Sequence, residues 1–387
     1  MLVTMNRRQT LGCGLLLPIT SGARSMPDSQ LDTVALARLH QGLDAAIAAR
    51  RLPGATLWVE RLGRRPHQAV FGLRAWEPEP EPLAMDAVFD VASLTKPVVT
   101  GLLAAQLLEQ GRLRLDDPVR LHLERFGEGR DHAQAVQVRH LLTHSSGLPA
   151  ILPLDPPWQG DEAALALALA ATPTDPPGRV FRYSDVNYIL LGRLIESVAG
   201  QALDRLAAAR IFEPLGMHDS GFKPRHAASR LVPTTFEAGR MLRGVVHDPA
   251  ARRMGGVAGH AGLFSTAADL ARLARAMLGG GRLDGQRVLS EAAIAAMTRN
   301  AAPAGLPARG LGWDIDSPYS RPRGTVYPAG RSFGHTGFTG CALWLDPASE
   351  SFYVFLSNRV HPRGSDSIVS LYEEVGTWAA RAAGAVQ

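Results

Sequence analysis

Ser93-Leu94-Thr95-Lys96 contains one of only two lysines in a 387-residue chain that carries 39 arginines. A lysine kept against that bias points to a task arginine cannot do. Guanidinium stays protonated at any working pH, whereas a buried ammonium can give up its proton and act as a base. A serine three residues before such a lysine, on a helix, shares its face and lies within reach of the amine. That pairing suits nucleophilic catalysis through a covalent intermediate, with Ser93 attacking and Lys96 activating it. The other lysine closes Ser220-Gly221-Phe222-Lys223, in a stretch broken by Gly and Pro that cannot place both side chains on one helical face.

Two further stretches carry chemistry. Phe181-Arg182-Tyr183-Ser184-Asp185-Val186-Asn187-Tyr188 precedes a helix that runs to Ala199. The Tyr183 phenol, of ordinary pKa about 10, becomes a usable base only beside a cation. Taken alone it reads first as a buried aromatic finding a hydrogen bond. Phe333-Gly334-His335-Thr336-Gly337-Phe338-Thr339-Gly340 opens a late strand pair. Its glycines would let a substrate lie against a strand edge, with a backbone N–H facing the substrate carbonyl oxygen.

The elements that must position these residues follow from periodicity. Residues 32 to 50 predict a helix, 54–60 and 68–73 two strands, and 94–110 a long buried helix with Pro97 in its first turn. Helices are expected over 162–171, 188–199, 202–211, 267–278 and 291–298, and strands over 340–345 and 352–358 around an Asp346-Pro347 turn. A last helix carries the stripe Ile368, Leu371, Tyr372, Val375 and Trp378. Glu77-Pro78-Glu79-Pro80-Glu81-Pro82 reads as an extended, solvated surface loop. The order predicts an α/β protein whose sheet is built from both chain ends, with a mostly helical lobe, about residues 112–330, inserted between them.

Composition excludes several classes. A hydrophobic fraction of 46% and a charged fraction of 20% fit a globular chain with a sizeable core. The net charge of +5 is spread without Lys/Arg blocks, which argues against nucleic acid or anionic membrane as partner. Residues 1–23 read as an export signal: Arg7 and Arg8, the apolar run Leu11 to Ile19, then Ser21-Gly22-Ala23. Asn6 to Leu11 resembles a twin-arginine signal. Cys13 has Thr10 where a lipobox has leucine, so a lipid anchor is disfavoured. The apolar run is too short for a membrane span, and the expected location is periplasmic or extracellular. Residues 24–387 would form one catalytic domain, with Cys341 its only cysteine and hence no internal disulfide. No His-Glu-x-x-His occurs, which disfavours a zinc hydrolase, and an α/β-hydrolase is disfavoured as well. His247-Asp248 and His260 read as structural hydrogen-bonding groups, and no metal or cofactor is expected.

The order Ser-x-x-Lys, Tyr-x-Asp, His-Thr-Gly resembles the serine β-lactamase and penicillin-binding family, nearest its class C β-lactamase, D,D-peptidase and esterase branch. The likeness runs over roughly residues 35 to 385 and includes Val88 to Lys96, Arg139 to Pro149 and Gly259 to Thr266. It implies an antiparallel sheet flanked by helices and a serine hydrolase acting on an amide or ester. Ser93, Lys96 and Tyr183 would be catalytic, with Lys96 neutral or sharing a proton with Tyr183. The oxyanion would sit between the backbone N–H groups of Ser93 and Phe338, and Asp185, His335, Thr336 and Gly337 would contact substrate. Two departures bear on specificity. His335 stands where the family's β-lactamases carry lysine, and would hold a substrate carboxylate only when protonated. Asp185 replaces asparagine and would repel anions. The reading is a cell-wall-related D-amino-acid peptidase or carboxypeptidase acting on peptides or cell-wall fragments. A broad carboxylesterase, a weak β-lactamase and a non-catalytic penicillin-binding scaffold are the alternatives. The oligomeric state is left open.

Overall fold

The computed structural model describes residues 30–364 and 367–385, and the expected export segment with Arg7, Arg8 and Cys13 lies outside them. The chain enters through α1 (Thr33–Ala48), where the Asp32 carboxylate caps the free Val34 and Ala35 N–H groups. Buried Ala35, Leu39, Leu43 and Ala46 make its apolar stripe. A hairpin follows, β1 (Gly54–Arg61) and β2 (His67–Ala75). The short strand β3 (Phe89–Asp90) then leads to Ser93.

The buried helix after Ser93 is not uniform. It opens as a 3₁₀ turn over Ala92–Leu94, widens to π geometry over Lys96–Gly101, and becomes regular in α2 (Leu102–Glu109). In a 3₁₀ turn residues i and i+3 eclipse one another, which brings Ser93 and Lys96 together more directly than an α-helix would. Beyond lie α3 (Asp185–Ala199), the strand β4 (Leu263–Ser265) and α4 (Ala267–Leu278), each helix capped by the hydroxyl before it, Ser184 and Thr266. The chain closes with β5 (Asp314–Asp316), β6 (Phe333–Gly337), β7 (Cys341–Asp346), β8 (Ser351–Ser357) and α5 (Val369–Ala382).

Among the described residues, eight strands form one antiparallel sheet: 308–309, β5, β6, β7, β8, β1, β2 and 81–82. Side chains along its centre alternate between two apolar clusters. Leu57, Val59, Trp344, Tyr353 and Phe355 join α1 and α5 on one face. Trp58, Leu343, Leu345, Val354 and Leu356 join the helices of residues 102–297 on the other. Both faces are covered, which is why these strands read as nearly continuous apolar runs. The sheet therefore is the middle of three layers, with β6 at the seam nearest Ser93.

Several details differ from expectation. The His-Thr-Gly stretch, expected to open the strand pair ahead of a strand from residue 340, is itself a strand paired with β7 from Phe333 to Gly337. Residues 308–309 and β5 were not expected as strands, nor was the hairpin of Pro233–Glu237 with Arg240–Arg243. The acidic proline patch is a loop only in part. Glu81–Pro82 forms the sheet edge, held where Glu81 binds Arg74 and Arg243 at 2.7 and 2.6 Å.

Candidate active site

Ser93, Tyr183, His335, Thr336, Gly337 and Phe338 line one cleft of about 480 Å³. Lys96 stands behind Ser93, wholly buried, and Asp185 stands beside Lys96. All eight residues singled out in the sequence thus meet at one place. Ser220 does not: its hydroxyl donates to Asp269 and pairs with Ser265.

The Lys96 ammonium donates to Ser93 Oγ at 2.9 Å and to the His260 carbonyl at 3.0 Å, and lies 2.7 Å from an Asp185 carboxylate oxygen. It also faces the Tyr183 ring, 4.9 Å from its centroid. Burial disfavours the charge, but Asp185 and the Tyr183 hydroxyl outweigh it and push the Lys96 pKa above its ordinary value. The expectation of a neutral Lys96 is therefore corrected: it is held as an ammonium. Asp185 is corrected with it. Its carboxylate is spent on Lys96 and presents no uncompensated charge to an anion.

Tyr183 is placed by His144. The two rings stack with centroids 4.4 Å apart, and His144 Nδ1 accepts from the Ser184 N–H at 3.0 Å. Burial, with Arg309, Lys96 and His335 nearby, drives the His144 pKa well below its usual value. A neutral imidazole is thus stacked on the phenol.

His335 is also neutral. Its ring is buried, Nδ1–H donates to the Thr336 carbonyl at 2.7 Å, and Nε2 has no partner among the described residues. Desolvation first, then Arg309 and Lys96, push its pKa well below the ordinary value. The expected protonated anchor for a substrate carboxylate is corrected: His335 offers the cleft an acceptor, not a cation.

Sequence reasoning missed the cation that is there. Arg309 is wholly buried and lines the cleft, and none of its three guanidinium nitrogens makes a hydrogen bond. Both that lack of hydrogen bonds and its one carboxylate neighbour, Asp314 at 3.4 Å, are read among the described residues. The available signal was Gly310-Leu311-Gly312-Trp313 immediately after it. Gly312, at φ +95°, passes so near the Ser93 helix that an added Cβ would lie 3.2 Å from Pro97 Cα. Gly337 marks the matching approach from the other side, since a Cβ there would meet the Val91 carbonyl oxygen at 2.3 Å. Phe338, 61% exposed, forms the outer rim between the His247 ring and the Arg359 guanidinium.

One acidic group needs a counterion. Asp185, Asp248 and His260 have potential ligand atoms within 4.8 Å of one another. Lys96 already supplies a cation to Asp185, while Asp248 accepts from Ala251 N at 2.8 Å and lies 2.9 Å from His260 Nε2. Burial opposes ionisation of Asp248, but His260 and Lys96 hold its carboxyl well below the usual range. In this cluster Asp185 is paired with the site's own lysine and Asp248 with His260.

Comparison with known proteins agrees with this geometry. Residues 37–373 match the Beta-lactamase family. The chain is 31% identical over 326 residues to an Escherichia coli O157:H7 protein named "Putative D-alanyl-D-alanine carboxypeptidase", covering 74% of this chain and 73% of that one. A penicillin-binding protein homologue from Caulobacter crescentus shares the fold at a TM-score of 0.71 and 22% identity, over 90% of this chain and 97% of that one. A class C β-lactamase superposes with a TM-score of 0.71 at 21% identity, over 89% and 96% of the two chains. The chain belongs to the β-lactamase family of serine hydrolases, with the β-lactamase/transpeptidase fold.

Proposed function

We propose that this enzyme is a serine carboxypeptidase that removes a C-terminal D-amino acid from cell-wall-type peptides through an acyl-enzyme on Ser93. The observation that carries the reading is the buried guanidinium of Arg309 in the Ser93 cleft, which among the described residues has no hydrogen-bond partner and a single ion pair, with Asp314 at 3.4 Å. An exopeptidase must recognise a terminal carboxylate, and a desolvated guanidinium with free donors is suited to take one in two parallel hydrogen bonds. The D-configuration is inferred from the name of the 31%-identical relative.

In this mechanism Ser93 Oγ attacks the scissile carbonyl carbon and its proton passes to Tyr183, whose phenolate is stabilised by the Lys96 ammonium. The oxyanion is held by the backbone N–H groups of Ser93 and Phe338. Collapse breaks the C–N bond as Tyr183 returns the proton to the leaving amine. Water, deprotonated by Tyr183, then attacks the Ser93 ester carbonyl, and Tyr183 returns that proton to Ser93 Oγ as the C–O bond breaks. The export expected from Arg7, Arg8 and the apolar run would bring the enzyme to such peptides. N-terminal sequencing of protein from the native host, with a mature start near Arg24, checks that step.

The test is a pair of acyl-D-Ala-D-Ala peptides, one with a free terminal carboxylate and one amidated. Release of D-Ala from the free acid and none from the amide supports the reading, and equal turnover of both sinks it. A second reading, carboxylesterase, is favoured by the apolar wall of Phe338, Ile368, Val369 and Tyr372. It predicts that neutral p-nitrophenyl esters outpace both peptides.

A further inference from the structure

Three parts of the cleft are tied together at Asp90, which is 2% exposed. One carboxylate oxygen accepts from Ala92 N at 2.9 Å and the other from His247 N at 2.7 Å. Its backbone carbonyl accepts from Thr339 Oγ1 at 2.7 Å, in the turn after β6, and its strand pairs with β4 at Phe264. The segment that begins at His247 runs on through Asp248 to His260, whose carbonyl receives Lys96.

Ala92, the residue before Ser93, has φ +47°. This is the left-handed region, where an L-alanine Cβ is crowded and which glycine enters without strain. Such conformations persist only where surroundings hold them, and they gather at functional sites. Here the Asp90 carboxylate binds the Ala92 N–H directly. We propose that Asp90 is a positioning residue for the nucleophile, holding Ala92 in its left-handed conformation and so aiming the Ser93 hydroxyl at Lys96. The inference rests on the proposed role of Ser93 as the acylated serine, which inhibitor-adduct mapping tests independently.

A carboxylate is a costly choice for this position. Burial pushes the Asp90 carboxyl up to about 6, against the pull of the His247 and Ala92 N–H groups. Asp248 raises it further and Arg252 lowers it, while Cys341 Sγ lies 3.8 Å from its carbonyl oxygen. The folded value exceeds the ordinary one, so stability falls as pH rises from about 4 to about 6 and is level above that. A neutral residue would avoid that loss, but an amide has one acceptor oxygen where the two N–H groups need two.

The experiment compares wild type, Asp90→Asn, Ala92→Gly and the double variant on one p-nitrophenyl ester. Asp90→Asn is expected to keep or raise Tm at pH 8 while lowering kcat at least tenfold, with KM within twofold. Ala92→Gly added to it should recover most of kcat, because glycine adopts the conformation without help. The wild-type kcat should have an acid limb near pH 6 that moves to lower pH in Ala92→Gly alone. Undiminished kcat in Asp90→Asn overturns the proposal, as does a folded double variant with no recovery. Should Asp90→Asn fail to fold, the Ala92→Gly profile decides: an unmoved acid limb overturns the proposal, and a shifted one supports it.

Discussion

Lys96 Nζ lies 2.7 Å from an Asp185 carboxylate oxygen, closer than its 2.9 Å to Ser93 Oγ. The nucleophile is therefore hydrogen-bonded to a cation whose charge another residue fixes. A lysine in that state cannot take the serine proton. It can lower the cost of a neighbouring phenolate, and Tyr183 is the phenol it faces.

Asp185→Asn separates the two roles. The raised Lys96 pKa means that the pair's contribution is fully present below the ordinary lysine value of about 10.4 and is lost only as pH rises through the higher folded value. The wild-type kcat/KM should accordingly hold level to about pH 10. Removing the Asp185 charge should bring an alkaline decline down to lower pH and cost about 2 kcal/mol of stability, the scale of a hydrogen bond to a charged group. A variant that is faster than wild type at pH 7 would instead make neutral Lys96 the base.

Ser93→Ala should remove covalent labelling by a fluorophosphonate and lower turnover by about 10³-fold or more, as loss of a nucleophile does. The fold should survive, because the change deletes one hydroxyl at the cleft wall. Mass spectrometry of the treated wild type should place the adduct on Ser93. An adduct on Ser145 or Ser220 would remove the basis of the mechanism.

The contact between Ser93 and Lys96 was legible because the two residues are near in sequence and their meeting depends on local spacing. The charge state of that pair was not. It is set by Asp185, whose side-chain direction follows from how α3 packs, and by burial that no local pattern reports. Arg309 escaped for a related reason. It sits in a two-residue, bulged edge strand with no periodicity, and its importance lies in a guanidinium that, among the described residues, is paired with Asp314 alone and has no hydrogen-bond partner. The central strands were readable from apolar runs, whereas β6 is masked by the glycines that let it approach Val91.

His335→Lys should not create a better carboxylate anchor. The new ammonium would share a buried site with Arg309 and Lys96, both of which already oppose charge at His335. An uncompensated buried charge costs about 3 kcal/mol or more. A marked fall in Tm, with no gain in affinity for acidic peptides at pH 8, is the expected outcome. For the wild type, the proposed anchoring by Arg309 predicts that the ratio of kcat/KM for a carboxylate-bearing and a neutral substrate stays constant from pH 6 to 8, because an arginine does not titrate there. Arg309→Gln should collapse that ratio by roughly 10²-fold, the loss of a charge-assisted pair. A ratio that rises as pH falls in wild type would restore His335 as the anchor.

Gly337→Ala tests the seam between β6 and the nucleophile. The backbone there is extended, so alanine meets no conformational penalty, but its Cβ would lie 2.3 Å from the Val91 carbonyl oxygen. Val91 is two residues from Ser93 and its N–H is bonded to Leu263 O at 3.1 Å, so it has little freedom to retreat. The strand must move instead, carrying His335, Thr336 and the Phe338 N–H away from the serine. Overpacking of this kind costs about 1–3 kcal/mol in stability. A displacement of an ångström in a catalytic group costs on the order of 10²-fold in rate. The variant should therefore fold with a modestly lowered Tm yet lose most of its acylation rate, measured by stopped-flow with an ester. Should acylation persist at the wild-type rate, β6 would not form the oxyanion side of the cleft.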